Sequence, residues 1–186
     1  MKSGNILKNT ILFFAGMVFF VACSKDFKTV TAYEYDGKFP DESAKNIEIT
    51  FSEGGKISFI ISAPVLNKYM GEESYMDCPE GVTIISYDYD GTMQSIMTAD
   101  YGISIDNSQK MAAHRNVVIT NIKKGERIET EKIIWDQREK TIYSDVEVRQ
   151  YKSDGSIHAG DGFDADERFS KYSIRRPRGS VVAEEI

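Results

Sequence analysis

The feature that most limits what this chain can become is a two-residue alternation of apolar and polar side chains, clearest between Met93 and Ile105. The odd positions are Met93, Ser95, Met97, Ala99, Tyr101, Ile103 and Ile105, six of seven apolar, whereas only Ile96 is apolar among the six even ones. Successive side chains of an extended strand point to opposite faces, so such a stretch buries one face and wets the other. The same rhythm runs through Ile57, Phe59, Ile61, Ala63 and Val65, and through Ile142, Ser144, Val146 and Val148. No long segment carries a helical period. Ten Tyr and ten Phe with fourteen Gly and four Pro fit aromatic-rich strands joined by glycine turns.

The alternation recurs in a longer unit. Gly55-Lys56, Gly91-Thr92, Gly125-Glu126 and Gly155-Ser156 each open a strand, and Gly81-Val82, Asn116-Val117 and Asp145-Val146 each open a second one. Asp90-Gly91, Lys124-Gly125 and Asp154-Gly155 supply the polar turns. One such unit exposes an apolar face it cannot cover alone, so several stack and bury a shared interior. The expected fold is all-β: a single β-jelly-roll or β-taco of stacked antiparallel hairpins over residues 46–186, with structure starting near Asn46.

Ahead of it, residues 1–22 carry Lys2, Lys8 and an uncharged apolar run from Ile11 to Ala22, the pattern of a secretory signal or membrane anchor. As a helix that run spans only about 18 Å against a hydrocarbon core of about 30 Å. It ends at Val21-Ala22-Cys23-Ser24, which matches a lipobox except that Phe20 stands where Leu is usual. Lipid attachment at Cys23 is one reading; a stop at Ala22 with an incidental thiol, or a retained anchor, is the other. Residues 23–45 are polar, contain Pro40 and read as a flexible tether. The body is expected to be membrane-anchored and to face the envelope space.

A formal net charge of -6 and no Lys/Arg cluster argue against nucleic acid. Without Cys23, Cys78 is left alone and cannot form an intramolecular disulfide; it reads as a packed loop residue. His114 and His158 lie at no metal-ligand spacing, and Asp161, Asp164 and Asp166 lack the Gly and terminal Glu of an EF-hand loop. Gly54-Gly55-Lys56-Ile57 lacks the rest of a phosphate-cradling loop. No cofactor, metal or enzymatic step is expected.

Several ordered segments are similar to the LptC family. They are Asn46-Ile47-Glu48-Ile49, Cys78-Pro79-Glu80-Gly81-Val82, Ser95-Ile96-Met97-Thr98-Ala99-Asp100-Tyr101 and Asn116-Val117-Val118-Ile119-Thr120-Asn121. Glu129-Thr130-Glu131-Lys132-Ile133-Ile134-Trp135-Asp136, Ile142-Tyr143-Ser144-Asp145 and Gly160-Asp161-Gly162-Phe163-Asp164-Ala165 continue the series. The resemblance implies a jelly roll open at both ends that takes lipopolysaccharide from inner-membrane ABC transporter subunits and passes it to an LptA-like periplasmic bridge protein. The shorter apolar run ending in a lipobox departs from the transmembrane helix usual in that family.

The residues expected to line an acyl-chain groove are Ile57, Phe59, Ile61, Val82, Ile84, Met97, Tyr101, Ile103, Val117, Ile119, Ile134, Val146, Val148, Ile157 and Phe163. By alternation alone, the same residues could pack as the core of a closed sandwich. The expected partner edges are the first strand, with Ile47 and Ile49, and the last, running from Tyr172 through Ile174 to Val182. Arg175-Arg176-Pro177-Arg178 either touches lipid phosphates or forms a solvated edge. A secreted β-sandwich lipoprotein with a structural or other ligand-binding role is the rival reading.

Overall fold

The computed structural model describes residues 39–180, all strand, turn or coil. The apolar run at 1–22, Cys23, the tether up to Lys38 and the end of the last expected strand at Val182 lie outside the described residues. The strands are β1 (Glu42–Glu53), β2 (Lys56–Tyr69), β3 (Tyr75–Cys78), β4 (Val82–Tyr87), β5 (Met93–Ala99), β6 (Tyr101–Ile105), β7 (Lys110–Asn121), β8 (Glu126–Asp136), β9 (Thr141–Tyr151), β10 (Ile157–Asp166), β11 (Tyr172–Ile174) and β12 (Arg178–Ser180). They form one twelve-stranded sheet in which every pairing is antiparallel. The fold is the all-β taco that alternation and repeat require.

The register shows how the sheet bends. β3 and β4 run end to end along β2, β5 and β6 end to end along β7, and β11 and β12 end to end along β10. Each junction falls at the level where the unbroken strands lose register: His114/Val117 in β7, Thr130/Ile134 in β8 and Asp161/Phe163 in β10. A crease therefore crosses the whole sheet and divides it into two half-sheets that face each other. The sequence supplies the breaks. Pro79 cannot donate to a ladder. Arg115 and Asn116 adopt left-handed φ of 63° and 48°, and the Asn116 amide donates to the Asp100 carboxylate at 2.6 Å. Gly81 has φ 99°, and a Cβ there would come within 3.0 Å of the Ala99 carbonyl oxygen, so glycine is needed.

Two expectations are corrected here. The alternation from Met93 to Ile105 is not one strand. Asp100 breaks it, and the pleat inverts there: Met97 and Ala99 face the interior between the half-sheets, while Tyr101 and Ile103 take the far face with Asp77. The first strand begins at Glu42, ahead of Asn46: Glu42 to Lys45 pair with Lys68 to Val65, with a Ser43–Asn67 side-chain hydrogen bond at 2.9 Å, although they carry no apolar alternation.

The core lies between the half-sheets. Val117, Ile119, Val148 and Phe163 are its largest fully buried apolar side chains, joined by Ile61, Val82, Met97, Ile128, Ile133 and Ile142. Burying such a side chain stabilises by roughly 1.5–3 kcal/mol relative to leaving it exposed.

Candidate lipid-binding groove

Residues opposite each other on neighbouring strands share a face. In the half-sheet built from β1, β2, β4 and β5, the inward row runs Ile49, Ile61, Ile84, Met97 and continues to Ile119 on β7. In the facing half-sheet, Cys78, Gly102, Ala113 and Ile133 form one inward row, and Met76, Ser104, Met111 and Trp135 the next. At the β1 end these rows do not meet. Between them lies an apolar cavity of about 500 Å³ whose wall includes Ile47, Phe51, Ile61, Ile84, Met97 and Trp135. It opens to solvent beside β1, where the wall residues Ile49 and Phe51 are 40% and 37% exposed. Asp106, Gln109 and Gln137 sit on hairpin turns at its lip, and among the described residues Asp106 is the only charged one in the lining.

The other end is filled. Phe163, Phe169 and Tyr172 gather there, with ring centroids 6.2 Å apart for Phe163 and Phe169 and 5.8 Å for Phe163 and Tyr172. The loop joining β10 to β11 reaches across to the opposite half-sheet. The Asn121 amide donates to the Phe169 carbonyl at 3.0 Å, and Lys124 Nζ to the Ser170 carbonyl at 3.1 Å. Outside, Arg168 pairs with Glu53 at 3.2 Å and lies 3.8 Å from the Tyr89 ring centroid. The Tyr172 hydroxyl bridges Gln150 and Glu126, and burial together with the Glu126 charge raises its pKa.

The expected lining residues separate accordingly. Ile61, Val82, Ile84 and Met97 line the cavity, and Phe59 lies deeper against Trp135 at 5.1 Å between centroids. Val117, Ile119, Val148 and Phe163 are packed core, and Val146 is half-buried. Ile57 and Ile157 are 45% and 41% exposed. Tyr101 and Ile134 lie on the far face; Ile103 borders the cavity but takes the far face by register. There the Tyr101 hydroxyl donates to Asp77 at 3.3 Å, and burial raises the pKa of both groups. Ile47 and Ile49 are on β1, which pairs only with β2 among the described strands; Tyr172 and Ile174 are on the opposite edge, turned inward against the core.

Sequence reasoning missed Leu66, Met76, Met111, Ile133 and Trp135 as lining residues, because their phase is set across the crease from the strands that show clean alternation. Cys78 also lines the cavity; burial and the neighbouring Asp77 charge push its thiol up to about 11. The arginine run is engaged with acids of β9 and β10: Arg175 with Asp164 at 3.1 Å, Arg176 with Asp161 at 3.7 Å and Arg178 with Asp161 at 2.6 Å. Asp166 instead caps the β10–β11 loop, accepting from the Ser170 amide at 2.7 Å. Among the described residues no group of three or more His, Cys, Asp or Glu is placed to hold a metal ion.

A family profile described as lipopolysaccharide-assembly, LptC-related, matches residues 10–170. The chain belongs to the LptC family. Membership makes it a transport component of the cell envelope that acts in lipopolysaccharide assembly, and it gives the greasy interior of the taco a lipid context. No curated protein matches the chain. Among the described residues of this LptC-family chain no helix is long and apolar enough to cross a membrane.

Proposed function

We propose that this chain receives lipopolysaccharide from inner-membrane ABC transporter subunits and hands it to an LptA-like periplasmic bridge protein, holding the acyl chains between its half-sheets. The observation that carries this reading is the apolar cavity of about 500 Å³ that opens beside β1 and keeps Asp106, Gln109 and Gln137 at the lip. A long acyl chain in water costs on the order of 10 kcal/mol, so a carrier must offer continuous apolar contact. The polar lip leaves the sugar and phosphate headgroup in solvent. With no charge deep in the wall, no single strong site traps the lipid.

The edges supply the partner contacts. β1 is twelve residues long and pairs only with β2 among the described strands, which leaves its other backbone edge in the geometry of strand addition. It is assigned to the transporter's periplasmic domain, with Ile47 and Ile49 facing the shared interior. The β11–β12 edge, with Tyr172 and Ile174, is assigned to the bridge protein. A lipid on Cys23, the mature N-terminus once residues 1–22 are removed, holds the protein at the inner membrane, facing the periplasm.

The test places a charge at the mouth and in the wall. Cells relying on Ile49→Glu or Ile84→Glu should deliver pulse-labelled lipopolysaccharide to the outer surface poorly while the protein remains folded and abundant; normal delivery by both would contradict the reading. Truncation after Pro177 removes β12, spares Tyr172 and Ile174, and should abolish recovery of the bridge protein in pull-downs. Cys23→Ser should lose incorporated palmitate.

A further inference from the structure

The cavity ends at a side chain that the sequence pattern does not mark. Beyond Ile84, Met97, Ile133 and Trp135, which line both spaces, lies a pocket of about 30 Å³ closed by Phe59, Ile142, Glu167 and Phe169. Phe169 is only 5% exposed although it belongs to a turn, and it packs within the core cluster. Its backbone is left-handed at φ 56°, an unfavourable conformation for a bulky residue. Neighbouring contacts hold it there. The Phe169 amide donates to the Asp166 carbonyl at 3.0 Å, the Asp166 carboxylate accepts from the Ser170 and Lys171 amides at 2.7 and 3.2 Å, and Asn121 and Lys124 tie the loop to the other half-sheet. Behind Phe169 stand Phe163 and Tyr172 on the last strands.

We propose that Phe169 is the stop at the inner end of the groove, and that the loop carrying it must lift before a hydrocarbon chain can pass toward the β10–β12 edge. The inference rests on the reading of the groove as an acyl path and adds where that path is interrupted. The seated loop sets the longest chain the cavity accepts. Of the hydrogen bonds that seat it, those of Asp166 and Lys124 are exposed at the rim and that of Asn121 is buried, so most of them can be released without dismantling the apolar layers.

The full chain is incubated with fatty acids of increasing length carrying a photoreactive diazirine at the methyl end, and labelled peptides are mapped by mass spectrometry. In the parent protein the label should stay on peptides containing Ile84, Met97 and Trp135 at every length. In Phe169→Ala the longest chains should also label peptides containing Phe163 and Tyr172. Asn121→Ser keeps the ring and loosens the loop; label on those far peptides should rise roughly fivefold, as expected for losing one ordinary hydrogen bond. Identical labelling of parent and both variants at every length would overturn the stop and leave the groove reading standing. Far-end labelling already present in the parent would also overturn it. Absence of groove labelling in all three folded proteins would overturn the groove reading, and the stop with it.

Discussion

The two ends of this molecule are built from the same kind of strand yet reach opposite outcomes. At the β1 end the facing half-sheets leave about 500 Å³ between them, and β1 has only Ile47 partly buried along its length. At the β10–β11 end Phe163 is completely buried and a loop fastens one half-sheet to the other. Strand alternation alone therefore does not decide between groove and core. What decides it is whether large rings and a cross-bridging loop fill the gap.

The comparison can be broken by substitution. Phe163→Ala should cost about 3–5 kcal/mol in urea unfolding, while Ile84→Ala, which widens a space that already exists, should cost no more than about 2 kcal/mol. Equal losses would mean the two ends are equally packed. The Cys78 thiol tests how dry the open end is. With its pKa raised to about 11 from 9.0, the thiolate at about pH 8 should be roughly a hundredfold scarcer than in an ordinary cysteine, and labelling by a maleimide correspondingly slow. Because the folded pKa lies above the unfolded one, the thiol's contribution is present in full below pH 9 and is lost as pH rises toward 11. A fast reaction at neutral pH would show a wet wall.

Asn121→Ala removes a buried donor and leaves the Phe169 carbonyl without it, which should cost about 1–3 kcal/mol and raise hydrogen exchange in the β10–β11 loop before the β1 end. The smallest effect belongs to Arg168→Ala. Its ion pair with Glu53 lies at the rim and should contribute less than about 1 kcal/mol, fading with added salt.

The strands, their antiparallel pairing and the recurring unit were legible because alternation and glycine turns are local. Gly55, Gly91, Gly125 and Gly155 all fall at hairpin turns on one half-sheet, and Gly81-Val82, Asn116-Val117 and Asp145-Val146 all fall at the crease. The repeat thus recorded the fold's two landmarks. What it could not record was the inversion of the pleat at the crease. Tyr101 and Ile134 continue an apolar rhythm in the chain but lie on the far face of the sheet, whereas Met76, Met111 and Trp135 reach the cavity from strands with weaker alternation. Phe169 was illegible for another reason: its burial depends on Asn121 and Lys124, more than forty residues away in sequence.

The central claim is that lipid enters between the half-sheets at the β1 end and touches only the side chains facing that space. Photo-crosslinking amino acids placed singly at Ile84, Tyr101 and Phe163 in living cells test it most directly. Lipopolysaccharide adducts should be abundant from Ile84, much weaker from Phe163 and absent from Tyr101. Adducts from Tyr101 equal to those from Ile84, or none from Ile84 in a folded protein, would contradict the account.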